Sequence, residues 1–492
     1  MDVKEYGDTK IRGIKMGQEA IIKKISGDRF TPFLLAKKLG AKAVLESASF
    51  LTGKDRYSII MIDEAFRLVQ RVSGVVQVSS GEEVQLTGDI LYNLAEVAKQ
   101  NKTVLQDADD KDGEMQSKYL PLPGAGLGYL GYEFCARCDT IVLSDQKDAL
   151  EIPESCFIIG HMYIIFDHFT EMMYLVGMNY KEHQINLRVA ADTIEKRIFN
   201  LDFTYLSEPE EGKSDKIEIL TDLEKTHDEY VQKVVVLKEE IKAGNIIQAV
   251  PSRRLQIKDS ASALEIYRRL RQRNPSPYMF YLNFGDFQLV GASPESLVRV
   301  RKGVATIHPI AGTRRRGKNL AEDESLSEEL ARDPKERAEH LMLVDLARND
   351  LGRVCEDGSI KVTKFMACEK YSTVIHLVSE VTGKTVSGDT DTAVKILRAS
   401  FPAGTVSGAP KISAIQILSK LEKEKRNFYA GAVGYLSVDG DLDFCIAIRC
   451  ALKKEGVWTL QAGGGIVYAS LPEREWTETC EKIDAMKTLF FA

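Results

Sequence analysis

The chain has 492 residues, of which 28% are charged and 44% hydrophobic, and 66 Lys and Arg against 72 Asp and Glu leave a net charge of −6. That balance excludes disorder as the main state, and the length allows about three domains, or two large ones, each with its own core. A broad basic surface for nucleic acid is missing, since no Lys/Arg run exceeds Arg314-Arg315-Arg316.

The first informative segments are punctuation. Gln106 to Lys118 packs Asp107, Asp109, Asp110, Asp112 and Glu114 with no apolar period and reads as an exposed loop. Gly126-Leu-Gly128-Tyr-Leu-Gly131 matches a dinucleotide fingerprint letter for letter. The preceding Tyr119-Leu-Pro-Leu-Pro-Gly124 cannot be a central strand leading into a helix, so the glycines read as a turn or a close backbone approach. Cys135-Ala-Arg-Cys138 alone among the eight Cys has metal-like or redox-like spacing; without a second pair it reads as reduced thiols rather than zinc. The β-like runs Phe157 to Phe166 and Met172 to Val176 make the N-terminal part sheet-rich. The longest apolar stretch, Cys156 to Phe166, is broken by Gly160 and His161 and falls far short of the roughly 20 residues of a membrane span. The polar start Met1-Asp2-Val3-Lys4-Glu5 lacks a secretory pattern, so neither membrane nor secretion is expected, and a cytoplasmic location is.

Ser207 to Asp215, rich in Glu, Pro, Gly and Ser, is the better domain boundary and divides the chain into residues 1–206 and 216–492. Beyond it, Thr226-His-Asp-Glu229 reads as a capping box, Val234, Val235, Lys238 and Ile241 fall at helical spacing, and Gly244 stops the helix. Ile246 to Val250, Phe287 to Val290, Gly431 to Val438 and Val457 to Gln461 read as strands. No repeat of 20 to 50 residues recurs. The order of hairpins and helices, without strict βαβ alternation, gives an α+β class. Phe401-Pro-Ala-Gly-Thr-Val-Ser-Gly-Ala-Pro-Lys411 lacks P-loop order. It and Ala462-Gly-Gly-Gly465 read as tight turns or as loops offering N–H groups to an anion.

Two helical starts carry paired acids. Asp333-Pro-Lys-Glu336 combines an N-cap, a first-turn Pro and a capping-box Glu, so Lys335 to about Asn349 is expected to be helical with Glu336 and Glu339 on one face. Ser470-Leu-Pro-Glu473 starts a second helix in the same style, where Glu475, Glu478 and Lys482 stand at i, i+3 and i+7. Singly, each stripe reads as a solvated face. Facing one another, four carboxylates repel unless a divalent cation lies between them, and an all-oxygen set without thiolate or His favours Mg²⁺ over zinc.

Pro309-Ile-Ala-Gly-Thr313, Asp333 to Arg353, Phe401 to Lys411, Cys445-Ile-Ala-Ile-Arg449 and Ala462-Gly-Gly-Gly-Ile-Val467 resemble the motifs of chorismate-utilising enzymes, most closely the anthranilate synthase large-subunit family. The resemblance runs through Lys216 to Phe490. It implies a four-layer α/β/β/α sandwich of two sheets around a Mg²⁺-dependent chorismate site, with a sheet-rich N-terminal regulatory part. By motif position Glu339 and Glu478 look like direct metal ligands, with Glu336 and Glu475 holding metal-bound waters. Gly312, Thr313, Tyr429, Arg449, Gly463, Gly464, Gly465 and Lys482 fall where the family binds substrate. Arg449 suits bidentate grip of a carboxylate and Lys482 acts as a point charge. Glu295, in Ala292-Ser-Pro-Glu295, matches the family's acid, which needs a raised pKa; His376 matches a second proton-transfer group, acting as pyruvate leaves. Thr313 and Gln248 belong to the same catalytic set.

Two positions separate reactions within the family. Where isochorismate-forming relatives carry a water-activating Lys, this chain has Gln248, and an amide is no base; where many aminodeoxychorismate synthases carry a nucleophilic Lys, it has Ala311. Ammonia, already a nucleophile, is therefore the expected attacker and anthranilate the expected product. The alternatives are an aminodeoxychorismate or 2-amino-2-deoxyisochorismate synthase, or a catalytically silent tryptophan-binding protein. Leu45-Glu46-Ser47 and Asn274-Pro-Ser-Pro277-Tyr278-Met279-Phe280 resemble the segments of the family's feedback L-tryptophan pocket, with Cys445 nearby by analogy. No Gly-x-Cys-x-Gly surrounds any Cys, so the ammonia source is expected to be a separate glutamine amidotransferase subunit, in a heterotetramer of two large and two small subunits.

Overall fold

The computed structural model describes residues 20–47, 56–101, 120–200, 217–371 and 374–491, so the expected loop at Gln106 to Lys118 and boundary at Ser207 to Asp215 lie outside the described residues. Two antiparallel sheets dominate. The eleven-stranded sheet runs in the spatial order 20–26, 172–178, 162–167, 57–61, 43–46, 278–283, 287–293, 450–454, 457–463, 252–258 and 218–219. The second has twelve strands: 310–315, 374–384, 304–307, 296–301, 442–446, 432–436, 127–130, 155–159, 66–71, 74–79 and 82–86 in order, with 361–370 paired to 374–384 off that path. Each sheet combines strands from before and after residues 201–216. The joins are 43–46 with 278–283 in one sheet and 127–130 with 432–436 in the other.

Strand alternation sorts the side chains into layers. In 57–61, Ile59 and Met61 enter the layer between the sheets while Ile60 points outward; in 278–283, Phe280 and Leu282 do the former and Met279 and Tyr281 the latter. The outward set is covered by the helices Pro32–Leu39, Leu187–Phe199, Ala263–Arg273 and Pro472–Lys487. Ile90–Lys99, Pro334–Gly352 and Thr390–Ser400 cover the other sheet. This is the expected α+β sandwich with helices outside.

Several local expectations are corrected. The run Phe157 to Phe166 is two strands in different sheets, Ser155–Ile159 and Met162–Asp167, because Gly160-His161 turns the chain from one sheet to the other; Asp63 Oδ1 accepts from His161 N (2.8 Å) and Met162 N (2.9 Å) to hold that turn. Thr226 does not cap a helix: Leu223–Lys242 starts one turn earlier, capped by Asp222, which accepts from Lys225 N at 3.1 Å, and Thr226 donates back to Asp222 O. The strand expected over Ile246 to Val250 contracts to Gln248–Ala249, paired with Gly408–Ala409. Ser470 is not the N-cap of its helix either; Pro472–Lys487 begins after Leu471, and the Ser470 hydroxyl instead accepts from Val467 N at 3.1 Å.

The Gly126 to Gly131 segment is a strand, Leu127–Leu130, not a turn. The close approach expected of its glycines does occur: Gly126 has φ +72, and a Cβ there would lie 1.9 Å from Ile158 O. Gly126→Ala is expected to destabilise by about 3 kcal/mol or more, since backbone strain and overpacking add. Gly352→Ala, with nothing within 4 Å of its Cβ position, should be near neutral. Thermal unfolding of both variants checks this, and equal melting temperatures would contradict it.

Candidate active site

The chain passes from the eleven-stranded to the twelve-stranded sheet at Ser293-Pro-Glu295-Ser296 and returns at Ile446-Ala-Ile-Arg449-Cys450. The two crossings are hydrogen-bonded to each other, Ile446 N donating to Glu295 O and Ala292 N to Arg449 O, both at 3.0 Å. They open a cavity of about 510 Å³, also lined by Ala311, Thr313, Tyr371, His376, Thr405, Tyr429, Gly463, Gly465 and Lys482. Eight of the expected catalytic and substrate-binding residues, drawn from across the C-terminal half, therefore meet at one cavity.

The charges in it are set by burial. Removal from water pushes the Glu295 carboxyl up to about 7, against the pull of the nearby Thr405 hydroxyl and the cations Arg449 and Lys482. Arg449 holds a left-handed backbone, φ +50, and among the described residues its guanidinium makes no hydrogen bond or ion pair, so its planar fork remains available to an anion. Lys482 donates to Gly463 O (2.8 Å) and pairs with Glu478 (2.6 Å), which fixes its ammonium at the cavity edge.

A β-bulge places His376 beside Thr313. Between Ala311 and Thr313 the register with strand 374–384 shifts, and Gly312, φ +66, takes up the extra residue. His376 then stands opposite Thr313. Its Nδ1 lies 3.1 Å from the Gly312 carbonyl and 3.1 Å from Thr313 Oγ1. A carbonyl accepts only, so Nδ1 carries the proton and Nε2 is left as the acceptor nitrogen. Burial lowers the imidazole below its ordinary pKa, keeping it neutral at pH 7.

Three expected residues stand just behind this lining. Gly312 faces Glu336, whose Oε2 would lie 3.0 Å from a Cβ there. Gly464 faces Glu475 and Glu478, and the Gln248 amide abuts Gly465, where a Cβ would lie 2.5 Å from its Nε2. Gln248 is thus a wall residue at the glycine loop rather than a group in the cavity. Sequence reasoning missed Thr405 and Tyr371: the first lies in the Phe401 to Lys411 motif, whose resemblance and backbone N–H groups do not single out this hydroxyl, and the second, whose ring meets His376 edge-on at 5.5 Å, carried no motif signal. Lys411, from that same loop, points elsewhere and pairs with Asp350 at 2.8 Å.

The acidic stripes do face each other. Asp333 caps Pro334–Gly352 as expected, accepting from Lys335 N (2.9 Å) and Glu336 N (3.2 Å). Burial raises both Glu339 and Glu475, and each is raised further by neighbouring carboxylates, Glu475 acting on Glu339 across the helix pair. Glu336 pairs with Arg314 (3.3 Å), Glu339 with Lys335 (3.7 Å) and Glu478 with Lys482, whereas Glu475 Oε2 is buried without a partner. Among the described residues no three acidic, His or Cys side chains stand close enough together to hold a metal ion. The donor chemistry nonetheless fits a hard divalent cation, because the set is all oxygen, partly desolvated, mutually repelling and includes one orphaned acceptor.

A second, smaller cavity of about 60 Å³ lies where strand 43–46 joins 278–283. Of the seven residues expected in the inhibitor pocket, Glu46, Ser47, Pro277, Tyr278, Met279 and Cys445 line it; Asn274 does not, since it ends the Ala263–Arg273 helix and donates to Ala485 O at 2.9 Å. Glu46 is held by Arg271 (2.8 Å) and Tyr267 (2.7 Å), and Tyr278 donates to Asp443 (3.1 Å). Pro277 lines both cavities.

The family model for chorismate binding enzymes matches residues 60–488. Anthranilate synthase component 1 of Spirochaeta aurantia is 50% identical over 471 residues, covering 95% of this chain and 94% of that one. Among solved structures, anthranilate synthase component I of Streptococcus pneumoniae superposes with a TM-score of 0.76 at 33% identity, over 88% of this chain and 92% of that one. The menaquinone-specific isochorismate synthase of Escherichia coli gives a TM-score of 0.69 at 19% identity, over 96% and 95% of the two chains, and so shares the fold.

The raised Glu295 pKa has a linkage consequence. Below pH 4.5 the carboxyl is protonated folded or unfolded; between there and about 7 the unfolded chain ionises freely while the folded one does not, so stability is lost over that window. Glu295→Gln, which has nothing to ionise, should gain on the parent by about 3 kcal/mol between those limits and no more above them. Melting temperatures from pH 4 to 9 test this; a pH-independent difference would contradict it.

Proposed function

The chain belongs to the chorismate-binding enzyme family, and we propose that it is the large subunit of an anthranilate synthase, converting chorismate and ammonia to anthranilate, pyruvate and water as the first step of tryptophan biosynthesis. The observation that carries this reading is the pairing, in one cavity, of an unpartnered Arg449 guanidinium with a buried carboxyl whose pKa is near 7. The first suits a carboxylate substrate and the second a poor leaving group that must be protonated. The relatives named above support the choice of product.

In this reading Arg449, Lys482, Tyr429 and the Gly463 to Gly465 backbone hold the carboxylates of chorismate, with Gly312 and Thr313 on the opposite wall. Ammonia attacks C2 of the ring. Glu295 donates its proton to the departing 4-hydroxyl, which leaves as water. The new C2 ammonium gives up one proton, which restores the Glu295 acid; His376, with Nε2 free, then takes the C2 proton as the ring C3–O bond breaks and the ring becomes aromatic, and that proton passes to the methylene of the released enolpyruvate to give pyruvate. Gln248 offers no base to activate water, and Ala311 no amine to attack the ring. A Mg²⁺ ion held by Glu339 and Glu478, with Glu336 and Glu475 through water, would neutralise and orient the substrate carboxylate. Binding it means giving up the Lys335, Arg314 and Lys482 pairs, so substrate and ion are expected to bind together.

The ammonia would come from a glutamine amidotransferase subunit, two of each chain forming a heterotetramer in the cytoplasm. Among the described residues no helix is long and apolar enough to cross a membrane. Residues 1–206 would form the regulatory part and 216–492 the catalytic part. L-tryptophan would bind the smaller cavity and act on the larger through the Pro275-Ser-Pro277 segment, since Pro277 belongs to both walls.

Incubation of the purified chain with chorismate, Mg²⁺ and ammonium should yield fluorescent anthranilate and equimolar pyruvate. Accumulation of a non-aromatic amino-chorismate would point instead to an aminodeoxychorismate or 2-amino-2-deoxyisochorismate synthase, and no turnover to a silent tryptophan-binding protein. Tyr278→Ala should raise the tryptophan concentration for half-inhibition about tenfold, the loss of roughly 1.4 kcal/mol of contact, with ammonia-dependent turnover retained. Unchanged inhibition would remove the smaller cavity as the effector site.

A further inference from the structure

The carboxylate cluster has a neighbour that this chemistry does not use. Tyr230 lies on the Leu223–Lys242 helix, which packs against Pro472–Lys487. Its ring sits 6.0 Å from Trp476 and joins a small apolar cluster with Val234, Leu237 and Ile466. For that packing alone Phe would serve as well. Yet the residue carries a hydroxyl that is buried, at 0% residue exposure; the Gly464 amide faces its oxygen, but its O–H proton meets no acceptor among the described residues. Burying an unsatisfied hydroxyl costs about 1–3 kcal/mol, an arrangement that points to a partner supplied by the working site.

An acceptor in the same condition stands beside it. Glu475 Oε2 is likewise buried and without a partner. Both atoms converge on the face of Gly464: a Cβ there would lie 3.2 Å from Tyr230 Oη, 3.3 Å from Glu475 Oε2 and 3.7 Å from Glu478 Oε1. Gly464 occupies the turn between two residues of the cavity wall, so an orphaned donor and an orphaned acceptor flank the strip joining the cavity to the acidic helices.

We propose that Tyr230 is a positioning residue for the acidic helix pair: when the divalent cation and substrate are bound, its hydroxyl donates to Glu475 Oε2, directly or through one water, and fixes the orientation of that carboxylate. The proposal rests on the metal-binding reading above. Hydrogen bonds to groups around a metal typically govern about 10–100-fold in its affinity.

The test is calorimetric titration of Mg²⁺ into the full chain with chorismate present and neither ammonium nor glutamine, so that nothing turns over. Tyr230→Phe should weaken Mg²⁺ binding about tenfold while tryptophan affinity stays near the parent's and the melting temperature of the metal-free chain stays level or rises, since an unsatisfied hydroxyl is removed; in a Glu475→Gln background it should cause no further loss of Mg²⁺ affinity. Parent-like Mg²⁺ affinity in Tyr230→Phe, or an equal loss in the Glu475→Gln background, overturns the proposal alone. A parent chain that binds no Mg²⁺ overturns the metal reading and the proposal with it. Should Tyr230→Phe fail to fold, Tyr230→Met, which fills the apolar cluster without an O–H donor, decides by the same titration: parent-like affinity overturns, a loss of about tenfold supports.

Discussion

The site depends on a pair of chain crossings between two sheets. Because Glu295 and Arg449 lie on segments that leave one sheet for the other, their side chains enter a region where no strand continues, and the reciprocal hydrogen bonds between the crossings hold the acid and the cation at a fixed spacing. Position and electrostatics then come from one source. Burial makes the carboxyl a poor acid in the ordinary sense and so a competent proton donor near neutrality, while the nearby guanidinium keeps its pKa from rising further.

The wall behind this pair is correspondingly rigid. Arg426 is 1% exposed and donates to Val406 O (2.8 Å), Val250 O (2.6 Å) and both oxygens of Glu422, so two residues lining the cavity are tied through one guanidinium. A buried ion pair of this kind is weak evidence for added stability, and its value here is geometric. The opposite wall is less settled. There the acidic helices approach with Glu336, Glu339 and Glu478 turned to Lys and Arg partners and Glu475 Oε2 without one, an arrangement suited to exchanging protein cations for a bound one.

What could be read from residue order follows from the range of the forces involved. The start at Asp333 was legible because a cap, a Pro and a Glu three residues on act within one turn, and the facing of Glu336 and Glu339 followed from helical spacing. Thr226 and Ser470 misled because each has a neighbour, Asp222 or Leu471, at which the helix begins instead; a hydroxyl near a helix start does not by itself say which turn is first. Phe157 to Phe166 read as one strand because alternation reports faces, not which of two sheets a strand joins. The cavity residues were reached through motif resemblance; Thr405 sits in a motif that does not say which of its side chains faces the cavity, and Tyr371 enters only through the tertiary arrangement.

In the folded chain Glu295 is a neutral carboxylic acid near pH 6 and gives up its proton close to neutrality. Infrared difference spectra of the parent against Glu295→Gln, recorded from pH 5 to 9, observe that proton directly. A protonated carboxyl band, absent from the variant, should disappear with a midpoint near 7. A carboxylate signal already complete at pH 5 would contradict it.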